Sequence, residues 1–117
     1  AALAGVPGVP AYTAGKAGLV ALTRSSALEY AHDGIRVVAI APTVVETELV
    51  ANFMAENPQV AQAMMYMNPM PGLPTPAEVA PAAVFLCSDD AKWVSGSVLP
   101  VDGAYCAGQK VSPDPLF

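Results

Sequence analysis

From Ala11 onward, small or apolar residues recur at helical spacing. Ala14, Ala17, Gly18, Ala21, Leu22 and Leu28 fall on one broad face, while Arg24, Glu29 and His32 fall elsewhere. The pattern predicts a helix through this stretch, with Gly34 as the left-handed residue that ends it. Residues 1–10, rich in glycine and proline, read as a loop. Ile35 to Ala41 runs Ile-Arg-Val-Val-Ala-Ile-Ala, a β-branched and almost wholly apolar run. It predicts a strand buried on both faces, as in a parallel sheet, closed by Pro42. Thr47–Glu56 and Pro58–Met67 predict short helices, bordered by proline or asparagine. Thr75-Pro76-Ala77-Glu78 is a strong helix start, with Thr75 as cap, Pro76 in the first position and Glu78 completing a capping box. That helix should run to about Ser88 and bend at Pro81. Gly96–Val101 predicts a last strand, turned off by Asp102-Gly103.

Helix, buried strand, helices and strand in that order give an α/β architecture. Two strands are too few for a doubly wound sheet, so most of such a sheet is expected to be missing from the chain. The opening Ala1-Ala2-Leu3-Ala4-Gly5, with no initiator methionine, reads in the same way as the middle of something longer.

Composition narrows the functional classes. The 117 residues suit one domain, and 54% hydrophobic content with periodic stretches excludes disorder along the whole length. No apolar run long enough to span a bilayer escapes a charge or a proline. The net charge of -5, with Lys16, Arg24, Arg36, Lys92 and Lys110 scattered along the chain, argues against a nucleic-acid partner. Cys87, Cys106 and the single histidine, His32, make neither a zinc site nor a disulfide scaffold. A reducing compartment fits best, and no signal peptide or lipidation motif is evident, so the cytoplasm is expected.

The sharpest chemical feature is Tyr12-Thr13-Ala14-Gly15-Lys16. Residues four apart on a helix share a face, with Cβ atoms roughly 6 Å apart. A phenol beside an ammonium gives up its proton more readily, which suits a proton donor and acceptor working on a C–O bond. Alone, the pair is a weak motif. Its surroundings strengthen it. Tyr12-x-x-x-Lys16-Ala17-Gly18, Ala27-Leu28-Glu29-Tyr30, Gly34-Ile35-Arg36-Val37 and Ala41-Pro42 closely resemble the second half of the short-chain dehydrogenases/reductases. The resemblance continues through Pro42–Thr47, Glu78–Ser88 and Gly96–Gly103, and covers roughly residues 1 to 105, with 106–117 as a tail.

The resemblance implies a Rossmann-like, doubly wound oxidoreductase that uses NAD or NADP to interconvert a small-molecule alcohol and ketone. Tyr12 becomes the acid/base. Lys16 holds the nicotinamide ribose and eases proton release from the tyrosine. Past Pro42, the backbone at Val45 and the hydroxyl of Thr47 would hold the nicotinamide carboxamide. No metal is implied. Relatives commonly form dimers or tetramers, and the small stripe of the first helix would permit close approach of a copy.

Departures from the family pattern also matter. The family's serine would stand just upstream of Ala1, and the phosphate loop further upstream still. Thr43 replaces the glycine usual after Pro42, and Ala104 stands where a second glycine is common, the latter expected to be harmless. Lys16 argues against the halohydrin-cleaving relatives, and the four-residue spacing argues against the enoyl-reductase branch. Met64, Met65, Met67 and Met70 would form a lid over an apolar substrate or, alternatively, ordinary core. His32 is expected as a favourable cap charge, Cys87 as buried packing, Trp93 as an anchor for the last strand and Asp89-Asp90 as a solvated turn. The competing reading is a truncated or inactive family member that serves as a non-enzymatic binding module. Stripped of its neighbours, however, a doubly buried strand would leave the isolated chain aggregated or molten.

Overall fold

A computed structural model describes residues 2–108, which form two compact units. One comprises residues up to 41 together with 81–100, the other 42–80 together with those from 101 on. The elements are α1 (Pro10–Glu29), β1 (Ala39–Pro42), α2 (Glu48–Glu56), α3 (Pro58–Met67), α4 (Pro76–Cys87) and β2 (Val98–Val101). Short 3₁₀ turns follow at Ala31–Asp33, Asp89–Ala91 and Tyr105–Ala107. β1 and β2 are neighbours in a two-stranded sheet. In the first unit the Ala39 N–H donates to the Ser97 carbonyl at 3.1 Å and the Gly96 N–H to the Val37 carbonyl at 2.8 Å. In the second, the Thr43 N–H donates to the Val101 carbonyl at 3.3 Å. Partner numbers rise together, so the strands are parallel, as the apolar run predicts.

In the first unit, α1 opens on Pro10, whose missing N–H costs nothing in the first turn. The face it buries is not the one on which the small residues gather. Val20, Thr23 and Ala27 are buried, whereas Leu22 is 60% and Leu28 82% exposed and the small stripe points outward. The reason lies at Gly96, where an added Cβ would sit 3.5 Å from the Ala27 Cβ. The turn before β2 comes that close to the helix, and φ +69° at Gly96 suits glycine. Thr23 is buried at little polar cost because its hydroxyl donates to the Leu19 carbonyl at 2.8 Å. The helix ends at Glu29, earlier than the pattern suggests, and its continuation tightens into the 3₁₀ turn closed by Gly34 at φ 72°. His32 is exposed on that turn, 3.4 Å from the Asp33 carboxylate.

The strand expected over 35–41 is shorter and shifted to Ala39–Pro42. It is half-buried, with Ile35 exposed. A strand with one hydrogen-bonded neighbour keeps an open edge, so its faces are not fully covered. The one charge in this apolar run has a structural task. The Arg36 guanidinium donates to the carbonyls of Leu86 at 2.7 Å, Ser88 at 3.1 Å and Val94 at 3.2 Å. These include orphan acceptors at the C-terminus of α4, where a cation is also favoured by the helix dipole. Leu86 and Ala91 are buried beside this staple.

Cys87 and Trp93 correct the reading of their neighbourhood. Cys87 is exposed, because one residue beyond the buried Leu86 it turns about 100° away around the helix. Trp93 is 94% exposed and lines an open concavity with Arg24, Leu28 and Ile35. It does not anchor the strand. Asp89 and Asp90 form an exposed turn, as expected.

In the second unit, Thr47 caps α2, its hydroxyl oxygen accepting the Val50 N–H at 3.3 Å, so the helix proper begins at Glu48. α3 spans Pro58–Met67 as its punctuation predicts. Thr75 and Glu78 form one arm of the expected capping box. The Thr75 N–H and hydroxyl both donate to Glu78 Oε2 at 2.8 Å, so the hydroxyl binds the carboxylate rather than capping a backbone N–H. These bonds hold the Glu78 carboxyl below its ordinary range. Pro81, which belongs to the first unit, lies inside α4. Asp102 is buried, its carboxylate accepting the N–H groups of Ala104 and Cys106, each at 3.0 Å. Desolvation, then the hydrogen bond and charge of Asp102, push the Cys106 thiol up. Ala104 adopts φ 71°, in the region glycine prefers, so the alanine here is strained rather than harmless. Of the expected tail 106–117, residues 109–117 lie outside the described residues.

Candidate functional site

The first turns of α1 set Tyr12 and Lys16 one above the other. Tyr12 is 58% exposed, so its hydroxyl is open to a substrate. Lys16 is partly buried, and its Nζ lies over the Tyr12 ring, 5.4 Å from the centroid. Such a cation over an aromatic face is attracted by the ring quadrupole, and Lys16 forms no ion pair among the described residues. One hydroxyl and three ammonium donors are thereby offered on the same helix face.

Pro42, Val45 and Thr47 belong to the second unit. Pro42 is the exposed last residue of β1, and Val45 is half-buried. The backbone around Val45 is fixed on both sides. The Thr43 N–H donates to Val101 as above, and the Glu46 N–H donates to the Pro74 carbonyl at 2.8 Å. Between them, the Val45 N–H and carbonyl take part in no hydrogen bond among the described residues. A primary carboxamide needs both an acceptor and a donor from its host, and this one residue offers both. At Thr47 the oxygen already accepts from Val50, which leaves its O–H free to donate. The donor set therefore fits the carboxamide of a nicotinamide ring. In the first unit, the ammonium of Lys16 fits a pair of ribose hydroxyls.

Of the methionines, Met65, Met67 and Met70 are exposed, and Met64 is partly so. Met70 is tied down: its N–H donates to the Gly103 carbonyl at 3.2 Å, and an added Cβ at Gly103 would lie 3.0 Å from the Met70 Cβ. Two residues with structural parts to play escaped the sequence reading. Arg36 looks like an interruption in an apolar run, and Asn68 looks like a helix border. Among the described residues no three His, Cys, Asp or Glu side chains gather to hold a metal. No helix among them is long and apolar enough to cross a membrane.

Comparison with known proteins places this geometry in a family. Residues 1–105 match the family model described as "Enoyl-(Acyl carrier protein) reductase". The chain is 40% identical over 103 residues to the A-factor type gamma-butyrolactone 1'-reductase (1S-forming) of Streptomyces virginiae, covering 88% of this chain and 40% of that protein. It is 41% identical over 105 residues to the cyclohexanol dehydrogenase of Acinetobacter sp. strain SE19, covering 90% and 39%. The chain thus spans about two fifths of the length of the curated relatives it matches. Among solved structures, an oxidoreductase of the short-chain dehydrogenase/reductase family from Burkholderia thailandensis superposes with a TM-score of 0.84 at 41% identity, covering 94% of this chain and 43% of that one. ElxO with NADP bound superposes with a TM-score of 0.84 at 30% identity, covering 92% and 43%. The family model's description and the relatives' names differ in the reaction they mention, and the family is common to both. The α/β fold with its parallel strands is of the Rossmann type, and the chain belongs to the short-chain dehydrogenase/reductase family.

Proposed function

We propose that the protein interconverts an alcohol and a ketone with NAD or NADP, Tyr12 serving as acid/base and Lys16 as its partner. The observation that carries this reading is the exposed Tyr12 hydroxyl on a ring held under the Lys16 ammonium. The names of the relatives, a cyclohexanol dehydrogenase and a reductase, and the NADP bound by ElxO support it.

A bound nicotinamide dinucleotide would supply the hydride acceptor for oxidation or the hydride donor for reduction. Tyr12 gives its hydroxyl proton to the ketone oxygen in one direction and takes it from the alcohol in the other. Lys16 offsets the negative charge left on the phenol oxygen while the proton is away, and its remaining N–H groups bind the ribose hydroxyls. The Val45 N–H and carbonyl, with the Thr47 hydroxyl, hold the carboxamide and so fix which ring face meets the substrate. Pro42, with its fixed φ, stiffens the entry to that loop.

On this reading residues 1–105 act as the C-terminal half of one Rossmann-type domain and 106–117 as its tail, and the protein works in the cytoplasm. The exposed methionines of α3 and the segment after it face an apolar alcohol or ketone. The outward stripe of Ala14, Ala17, Gly18 and Ala21 lets α1 approach a copy of itself, giving a dimer or tetramer. The test is oxidation of NADH or NADPH by the intact protein in the presence of a panel of cyclic ketones. Turnover with at least one ketone is expected; a flat response with both cofactors across the panel would refute the reading.

A further inference from the structure

Asn68 closes α3 and is 4% exposed, yet both ends of its carboxamide are paired. Its Oδ1 accepts the Thr43 hydroxyl at 2.7 Å, and its Nδ2 donates to the Gly72 carbonyl at 3.0 Å. Thr43 lies 25 residues earlier, at the start of the loop after β1. A second tie runs alongside, from the Glu46 N–H to the Pro74 carbonyl at 2.8 Å. The segment 68–74 therefore grips the loop at positions 43 and 46, and Val45, whose N–H and carbonyl take part in no hydrogen bond among the described residues, is held between the two grips.

We infer that Thr43 and Asn68 are a positioning pair for the cofactor: their part-buried hydrogen bond presets the Val45 backbone for the nicotinamide carboxamide. The inference rests on the proposal that this loop holds the carboxamide, and it adds residues to which no role was given there. The physical reason is preorganisation. A loop that must be ordered on binding gives up part of the interaction energy to ordering, and a loop already pinned does not. A threonine in place of the family's usual glycine brings a hydroxyl that needs a partner, and Asn68 is the partner the fold provides. Removing the Thr43 hydroxyl is costly because it leaves the Asn68 Oδ1 in a buried residue without that bond.

Two ligands separate positioning from general damage. One is the reduced dinucleotide, NADH or NADPH, whichever the wild type binds more tightly. The other is the matching adenosine diphosphate ribose, which lacks the nicotinamide. Calorimetric titration of the intact protein with each should show Thr43→Val, which keeps the side-chain shape but loses the hydroxyl, weakening the dinucleotide about tenfold. Affinity for the ribose compound should stay unchanged, and Thr43→Ser, which keeps the hydroxyl, should restore dinucleotide binding. Asn68→Asp, which accepts from Thr43 but cannot donate to Gly72, should fall between wild type and Thr43→Val. Equal weakening of both ligands by Thr43→Val, or no weakening of either, overturns the inference while leaving the proposed function standing. Wild-type protein that binds neither ligand overturns both.

Discussion

The Lys16 ammonium sits over the face of the Tyr12 ring, 5.4 Å from its centroid, one helical turn further along α1. The ring face attracts the cation, a compact charge on a flexible stem. Arginine carries the same charge but spreads it over a planar fork, so it does not replace lysine at such a point contact. Lys16→Met should therefore lower kcat/KM by about 100-fold or more, and Lys16→Arg should recover only a small part. Steady-state kinetics with cofactor concentration varied would check this, with the loss expected in both kcat and the KM for cofactor.

Arg36 makes three charge-assisted bonds to carbonyls of the first unit, at Leu86, Ser88 and Val94. Removing the guanidinium strands acceptors that lie partly out of water. We expect Arg36→Met to destabilise the intact protein by about 2–3 kcal/mol, with Arg36→Lys intermediate because an ammonium cannot span all three carbonyls. Urea unfolding monitored by circular dichroism provides the measurement, with a lower midpoint and an unchanged slope as the expected signature.

Ala104 holds φ 71° in the turn that Asp102 stabilises through the Ala104 and Cys106 N–H groups. An L-residue with a Cβ pays roughly 1 kcal/mol there, and glycine does not. Ala104→Gly should accordingly raise stability by somewhat less than that, since glycine also gains freedom when unfolded. Gly103→Ala should do the reverse, because the new Cβ would meet Met70 at 3.0 Å. Melting curves of the two variants beside wild type would show opposite shifts.

The Thr75–Glu78 contact has a pH signature. The Glu78 carboxyl is held below its ordinary value, 4.5, by the Thr75 N–H and hydroxyl. A depressed carboxyl contributes stability that is fully present above its unfolded-state value and is lost as pH falls through the folded-state value. Glu78→Gln should therefore lower the melting temperature near neutral pH, and the difference from wild type should shrink to nothing in acid. A constant difference across the titration would locate the effect in the shape of the side chain rather than its charge.

The residues that punctuate the chain made much of this fold legible. Pro58 and the asparagines on either side mark α3, Thr75-Pro76 marks α4, and the β-branched run marks a parallel strand. What escaped depends on partners distant in sequence. Alanines and glycines on α1 look like a packing stripe, but Gly96, far along the chain, selects the Val20–Thr23–Ala27 face instead. Asn68 gives no local sign that its carboxamide bonds Thr43, and Arg36 gives none that its guanidinium staples α4. The Tyr12–Lys16 pair was visible because its geometry is local to one helix turn. The exposure of Cys87 and Trp93 is not legible in the sequence, because apolar character alone does not say which way a side chain will face.

The most direct test of the account is turnover of the intact protein beside its Tyr12→Phe variant, with ketone and reduced cofactor present and dinucleotide affinity measured in parallel. The substitution removes one oxygen and leaves the ring under Lys16. Turnover is expected to fall by at least about 100-fold while the dinucleotide dissociation constant stays within about twofold. Near-normal turnover in Tyr12→Phe would contradict it and remove Tyr12 from the chemistry.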